Sequence, residues 1–127
     1  MTGVDGAVTS LFVYGTLRPG DVRWSFLEPF VTDDGIDDTV GGTLFDTGLD
    51  YPAAVFDGSG IVVGRTYGLR TESIERALAV LDEEEDTVLG LYRRVRVTTG
   101  LGIVAWAYAY GSGLVLTPIP SGDWFTR

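Results

Sequence analysis

"LYRRVRVTTGLGIVAWAYAY", residues 91–110, is the stretch on which the fold turns. Two runs rich in β-branched and aromatic residues flank Gly100-Leu101-Gly102, a pattern that predicts an antiparallel hairpin. Side chains alternate across a strand, so Val104, Trp106, Tyr108 and Tyr110 share one face of the second arm. Ile103, Ala105, Ala107 and Ala109 share the other. The aromatic stripe reads first as core packing and second as a pocket wall, with Tyr110 at the strand end placed to present its hydroxyl to a site.

Working outward, residues 81–86 read "LDEEED" and follow a segment with clear helical period. Thr71 is predicted to cap "ESIERALAVLD", with Glu72 and Glu75 favoured near the positive end of the helix dipole. Ile74, Ala77, Leu78 and Leu81 fall at i, i+3, i+4 and i+7 and make one apolar face. The same period carries on to Glu85, with Asp82 on that side and Glu83 and Glu84 turned outward. A solvated loop is the bland reading of such an acidic run. Against it, acids at a helix C-terminus oppose the dipole and repel one another. Desolvation and neighbouring acids would raise the pKa of an inward Glu85 and suit it to general-base work.

Residues 11–20, "LFVYGTLRPG", form a short buried strand that stops at Tyr14 and opens into a loop at Gly15. Glycine past a strand lets the backbone approach a ligand, and successive N–H groups there can cradle an anion or a carbonyl oxygen. Asp21 is placed to cap a short helix through "VRWSFLEPF" that Pro29 ends. An acidic loop over residues 33–38 precedes strands at "TVGGTLFD" and "YPAAVF"; a "DGSG" turn then leads to a strand at "IVVGRTYGL". The tail "TPIPSGDWF" reads as irregular. Many strands, two helices and 18 glycines predict a small α+β domain around a curled sheet or barrel, one domain over residues 1–127.

Composition removes whole classes of chemistry. There is no His and no Cys, and all nine basic residues are Arg, so no lysine is present. That excludes a Ser-His-Asp triad, a thiolate nucleophile, a Schiff-base lysine and a His/Cys zinc site. An enzyme built from this chain must use a carboxylate or a tyrosine, or a substrate that brings its own nucleophile. The net charge of −9 repels nucleic-acid phosphates, and only "RRVR" at residues 93–96 interrupts it. The bland reading of those arginines is salt bridging to the acidic run. No apolar run approaches the roughly 20 residues of a membrane span. The start "MTGVDGAVTS" carries an acid where a signal peptide needs bases, which argues for a cytoplasmic protein. Oligomeric state is not legible.

"FVYGTLRPG", "YPA" at residues 51–53, "LDEEE", "LYRRVRV" and "AWAYAY" occur together in the order found in the gamma-glutamylcyclotransferase-like family, which the chain resembles over nearly its whole length. The resemblance implies a small mixed β-barrel with flanking helices. It also implies release of 5-oxoproline from a gamma-glutamyl amine or peptide, a small-molecule substrate, and no metal or organic cofactor. By position it gives Tyr14, Gly15, Thr16 and Leu17 as the substrate-binding loop and Glu85 as the catalytic acid-base. Many members carry glycine after that glutamate, where this chain has Asp86. Two alternatives follow: a binding or interaction module of the same fold without turnover, and a hydrolase using Asp82 with Glu85. Turnover is expected to persist in excess chelator; loss that a divalent ion restores would overturn the expectation.

Overall fold

The computed structural model describes residues 8–15, 24–48, 52–84 and 92–126. In chain order its strands are β1 (Ser10–Val13), β2 (Ile36–Gly41), β3 (Thr43–Asp46), β4 (Pro52–Val55), β5 (Ile61–Gly68), β6 (Tyr92–Thr98), β7 (Val104–Tyr110) and β8 (Thr117–Pro118). The helices are α1 (Trp24–Leu27) and α2 (Ile74–Glu84). Five strands form one sheet in the order β2-β5-β1-β7-β6, and three form a second in the order β4-β3-β8. Every pairing is antiparallel except that of β1 with β7, where Leu11 faces Trp106. This is the α+β architecture with flanking helices that the sequence predicts, its strands divided between a mixed and an antiparallel sheet that share a core.

The central strand β1 of the large sheet is buried on both faces, which explains its unbroken apolar run. Leu11 and Val13 turn to a core that also holds Leu27 of α1, Leu81 of α2, Tyr67, Tyr92 and Tyr108. Phe12 and Tyr14 turn the other way, into a core between the two sheets with Val40, Leu44, Ala54, Val62 and Ala107. The β7 alternation is the predicted one. Trp106, Tyr108 and Tyr110 lie on the helix side, while Ala105 and Ala107 are fully buried between the sheets. The hairpin forms with Tyr92 opposite Tyr110 and Thr98 opposite Val104, and its tip needs Gly102 at φ 83°.

Several boundaries differ from the sequence reading, each for a physical reason. The acidic stretch is half strand: β2 starts at Ile36 and pairs with β5 throughout, because Arg65 neutralises Asp37 at 2.7 Å and binds the carbonyls of Asp34 and Gly35. "TVGGTLFD" is two strands rather than one. A Cβ at Gly42 would lie 2.4 Å from the Val55 carbonyl oxygen, so the chain crosses between sheets at the residue that has none. Thr71 is no cap: it opens a 3₁₀ turn (Thr71–Ser73) leading into α2. Pro29 likewise sits inside a 3₁₀ turn (Glu28–Phe30) that continues α1, tolerated near the start where no N–H is required. Asp21 lies outside the described residues. The tail is more ordered than expected. It contributes β8, buries Ile119 and Trp124 between the sheets, and its Gly122 carbonyl accepts from the Val63 N–H at 2.7 Å.

Asp38 is the buried charge of this layer. Its carboxylate accepts from the Thr39 N–H at 2.8 Å, the Thr66 hydroxyl at 2.8 Å and the Leu101 N–H at 3.2 Å, and so joins β2, β5 and the hairpin tip. Burial pushes its pKa up, but hydrogen bonds from the Thr99 hydroxyl, the Thr39 N–H, the Thr66 hydroxyl and the Leu101 N–H outweigh it and hold the carboxyl below its ordinary value. A depressed folded-state pKa means the stabilisation is complete above the unfolded value of about 3.9. It is lost as pH falls through the folded value. Asp38→Ala should therefore cost about 2–3 kcal/mol at pH 7. In urea titrations that deficit should shrink below about pH 4; a deficit constant across the acid range would place the effect in packing instead.

Candidate active site

The parallel pairing of β1 with β7 brings the C-terminal ends of both strands to one edge of the large sheet. Tyr14 and Gly15 leave β1 there, Tyr110 ends β7 there, and Tyr92 starts β6 opposite Tyr110. β4 begins beside them at Pro52, whose carbonyl accepts the Tyr92 hydroxyl at 2.7 Å. Proline suits the first position of a strand, where no ladder N–H is needed. The last turn of α2 closes on the same edge through Asp82.

Asp82 docks the helix end on the sheet. Its carboxylate accepts from Arg94 Nε at 2.9 Å and Arg94 Nη2 at 3.3 Å, and from the Tyr108 hydroxyl at 2.7 Å. The Arg94 guanidinium in turn lies over the Trp106 ring, 4.4 Å from its centroid. A carboxylate at a helix C-terminus is disfavoured by the dipole, and these donors offset that cost. The salt-bridge reading of the arginine run thus holds for Arg94. Glu83, on the outer side as expected, is exposed.

Tyr14 is buried among the inter-sheet aromatics, its ring edge-on to Phe56 at 5.9 Å, and its hydroxyl donates to the Tyr108 carbonyl. Gly15 has no positive φ. What calls for glycine is Pro52, whose ring carbons would lie 3.0 and 3.1 Å from an added Cβ. The Tyr110 hydroxyl bonds to the Leu114 backbone, donating to its carbonyl at 3.2 Å and accepting from its N–H at 3.3 Å. Thr16, Leu17 and Glu85 lie outside the described residues. Tyr14, Gly15 and Tyr110 are therefore brought together, and Glu85 is the next residue in sequence after α2, whose Asp82 reaches the same edge.

Pro52, Tyr92 and Tyr108 were not singled out from the sequence. Strand alternation puts Tyr92 on the face of Arg94, and the aromatic stripe contains Tyr108, but neither pattern says which backbone or carboxylate a hydroxyl will find.

This edge carries together the segments that resemble one family, and a family model described as "Gamma-glutamyl cyclotransferase, AIG2-like" matches residues 11–126. The chain belongs to this family. A protein of Halalkalibacterium halodurans is 42% identical over 91 residues, covering 67% of this chain and 79% of that protein. One of Vibrio cholerae is 36% identical over 118 residues, covering 92% and 96%. Both bear the name "putative gamma-glutamylcyclotransferase". The crystal structure of an uncharacterised protein from Pyrococcus horikoshii superposes with TM-score 0.70 at 30% identity, covering 94% of this chain and 92% of that one. Among the described residues no helix is long and apolar enough to cross a membrane.

The docking of α2 generates a direct test. A double-mutant cycle of Asp82→Asn and Arg94→Gln, followed by urea unfolding, should give a coupling of about 1 kcal/mol, the upper range for a half-buried pair with bidentate geometry. Additive effects would mean that the pair does not hold the helix end.

Proposed function

We propose that the protein is a gamma-glutamyl cyclotransferase that releases 5-oxoproline from a gamma-glutamyl amine or peptide. The observation that carries the reading is the convergence of the Tyr14-Gly15 strand end, Pro52, Tyr110 and the Asp82 end of α2 at one sheet edge. Family membership supports it, as do the names of the two bacterial relatives.

The chemistry fits a chain without His, Cys or Lys. The α-nitrogen of the substrate attacks its own γ-carbonyl carbon, and a five-membered ring closes. The bond to the leaving nitrogen then breaks, and a proton passes from the attacking to the leaving nitrogen. A correctly folded intramolecular nucleophile has an effective molarity of roughly 10⁵ M or more, so no enzyme nucleophile is required. The protein must hold the bent conformer, move the proton and stabilise the oxyanion.

In this reading Glu85 takes the proton from the ammonium and returns it to the leaving amine. Four positions after the fully buried Leu81, it continues the apolar phase of α2. The backbone N–H groups of Gly15, Thr16 and Leu17 bind substrate oxygens, where a single donor is worth about 3 kcal/mol in the transition state. Tyr14, buried between the sheets, and the part-buried Tyr110 each have a hydroxyl already held by backbone. The carboxylate of Asp82 is engaged by Arg94 and Tyr108, which suits a docking role better than the second acid of a hydrolase.

Incubation with gamma-glutamyl amines and dipeptides, with 5-oxoproline measured by mass spectrometry, tests the reading; free glutamate as the product would replace it with hydrolysis. Glu85→Gln should abolish 5-oxoproline release with melting temperature unchanged or raised. The exposed Glu83→Gln should stay active, and the reverse pattern would remove Glu85 from the mechanism.

A further inference from the structure

A cavity of about 470 Å³ opens where the two sheets part, beside β6, the last strand in the order of the large sheet. Its apolar wall is Val55 and Phe56 at the end of β4 facing Val95 and Val97 of β6. Its volume falls in the range of roughly 300–1,000 Å³ that holds small ligands. It reaches the candidate active site on two sides: Tyr110 lines it directly, and Phe56 packs edge-on against Tyr14.

The charge of the lining is opposite to that of the chain. The protein has 18 acids and 9 arginines, yet among the described residues this lining holds Arg93 and Arg96 and no acidic residue. Arg93 shares the inner face of β6 with Val95 and Val97 by strand alternation. Arg94, its neighbour, points to the other face and is taken by Asp82. Among the described residues Arg93 makes no ion pair. An exposed guanidinium at the rim of an apolar slot, with no acid in that lining among the described residues, is suited to a carboxylate carried on an apolar body.

We propose that this cavity binds the leaving half of the gamma-glutamyl substrate, and that this half is an amine with an apolar body and a carboxylate. The apolar body lies along Val55, Phe56, Val95 and Val97, and Arg93 reads the carboxylate as the specificity-determining residue. The inference rests on the cyclotransferase reading above. The step stays balanced: a carbon–nitrogen bond forms in the ring, another breaks, and the leaving amine departs with the transferred proton and its carboxylate intact.

The probes are gamma-glutamyl-leucine and gamma-glutamyl-isoamylamine, which differ only in the carboxylate. Wild-type kcat/KM for 5-oxoproline release should be about 10- to 100-fold higher with the first, the worth of one charge-assisted pair. Arg93→Gln should erase that preference through KM, leave kcat close to wild type, and leave the isoamylamine compound unaffected. Arg93→Lys should restore part of the preference. Equal wild-type use of the two probes, or an equal loss on both in Arg93→Gln, overturns the assignment. Calorimetric titration of the same probes separates the two levels of inference. Binding of gamma-glutamyl-leucine that weakens in Arg93→Gln without any turnover would overturn the cyclotransferase reading and keep the carboxylate site. Absence of binding, or binding indifferent to Arg93, would remove the site whatever the turnover.

Discussion

The parallel contact between β1 and β7, with Leu11 opposite Trp106, is the constraint on which the other features depend. Every other pairing is antiparallel and sets the ends of its two strands pointing opposite ways. This one sets two strand ends side by side at one edge. It puts Tyr14 and Gly15 next to Tyr110, and through the β6–β7 hairpin it brings Tyr92 and Arg94 to the same place. The helix then has a carboxylate-binding surface on which to end, and β4 has a tyrosine hydroxyl to receive the carbonyl of its first residue.

An excess of acids is accommodated here by three distinct means. Asp37 lies against Arg65, exposed to water, where the pair chiefly prevents repulsion within the stretch over residues 33–38. Asp82 is half-buried and uses the planar fork of Arg94 together with a phenol. Asp38 is buried with no cation among its hydrogen-bond donors and is held by hydroxyl and backbone donors alone. That gradation, from ion pair to neutral donors, follows increasing removal from solvent. A dipolar cage can support a carboxylate without burying a second charge.

Periodicity was the part of the sequence that could be read directly. The hairpin register over residues 92–110, the apolar face of α2 and the two-sided burial of β1 all follow from patterns that repeat at 2 or 3.6 residues. The failures lie where a long-range contact overrides a local signal. Ile36, Asp37 and Asp38 look like loop until Arg65 and the hydrogen-bond donors around Asp38 arrive from elsewhere. Gly42 looks like a strand residue until the Val55 carbonyl is seen to occupy the space of its Cβ. The candidate site divides in the same way. Tyr14, Gly15 and Tyr110 are marked by their position at strand ends. Pro52, Tyr92 and Tyr108 act through hydroxyl and carbonyl partners far away in sequence, which no local spacing encodes.

The inter-sheet core has a temporal consequence. Its central strand is β1, whereas β7, Ile119 and Trp124, which complete its surroundings, lie about 90 or more residues further along the chain. A nascent chain can pair β1 with β5 but cannot complete the core around Phe12 and Tyr14 until the residues through Trp124 are available. Long-range closure of this kind makes folding slow and places it after synthesis of the closing strands rather than during it. Through that interval the apolar β1 has β5 as its partner and lacks β7, so the segment that later frames the site keeps apolar side chains uncovered until the closing strand arrives.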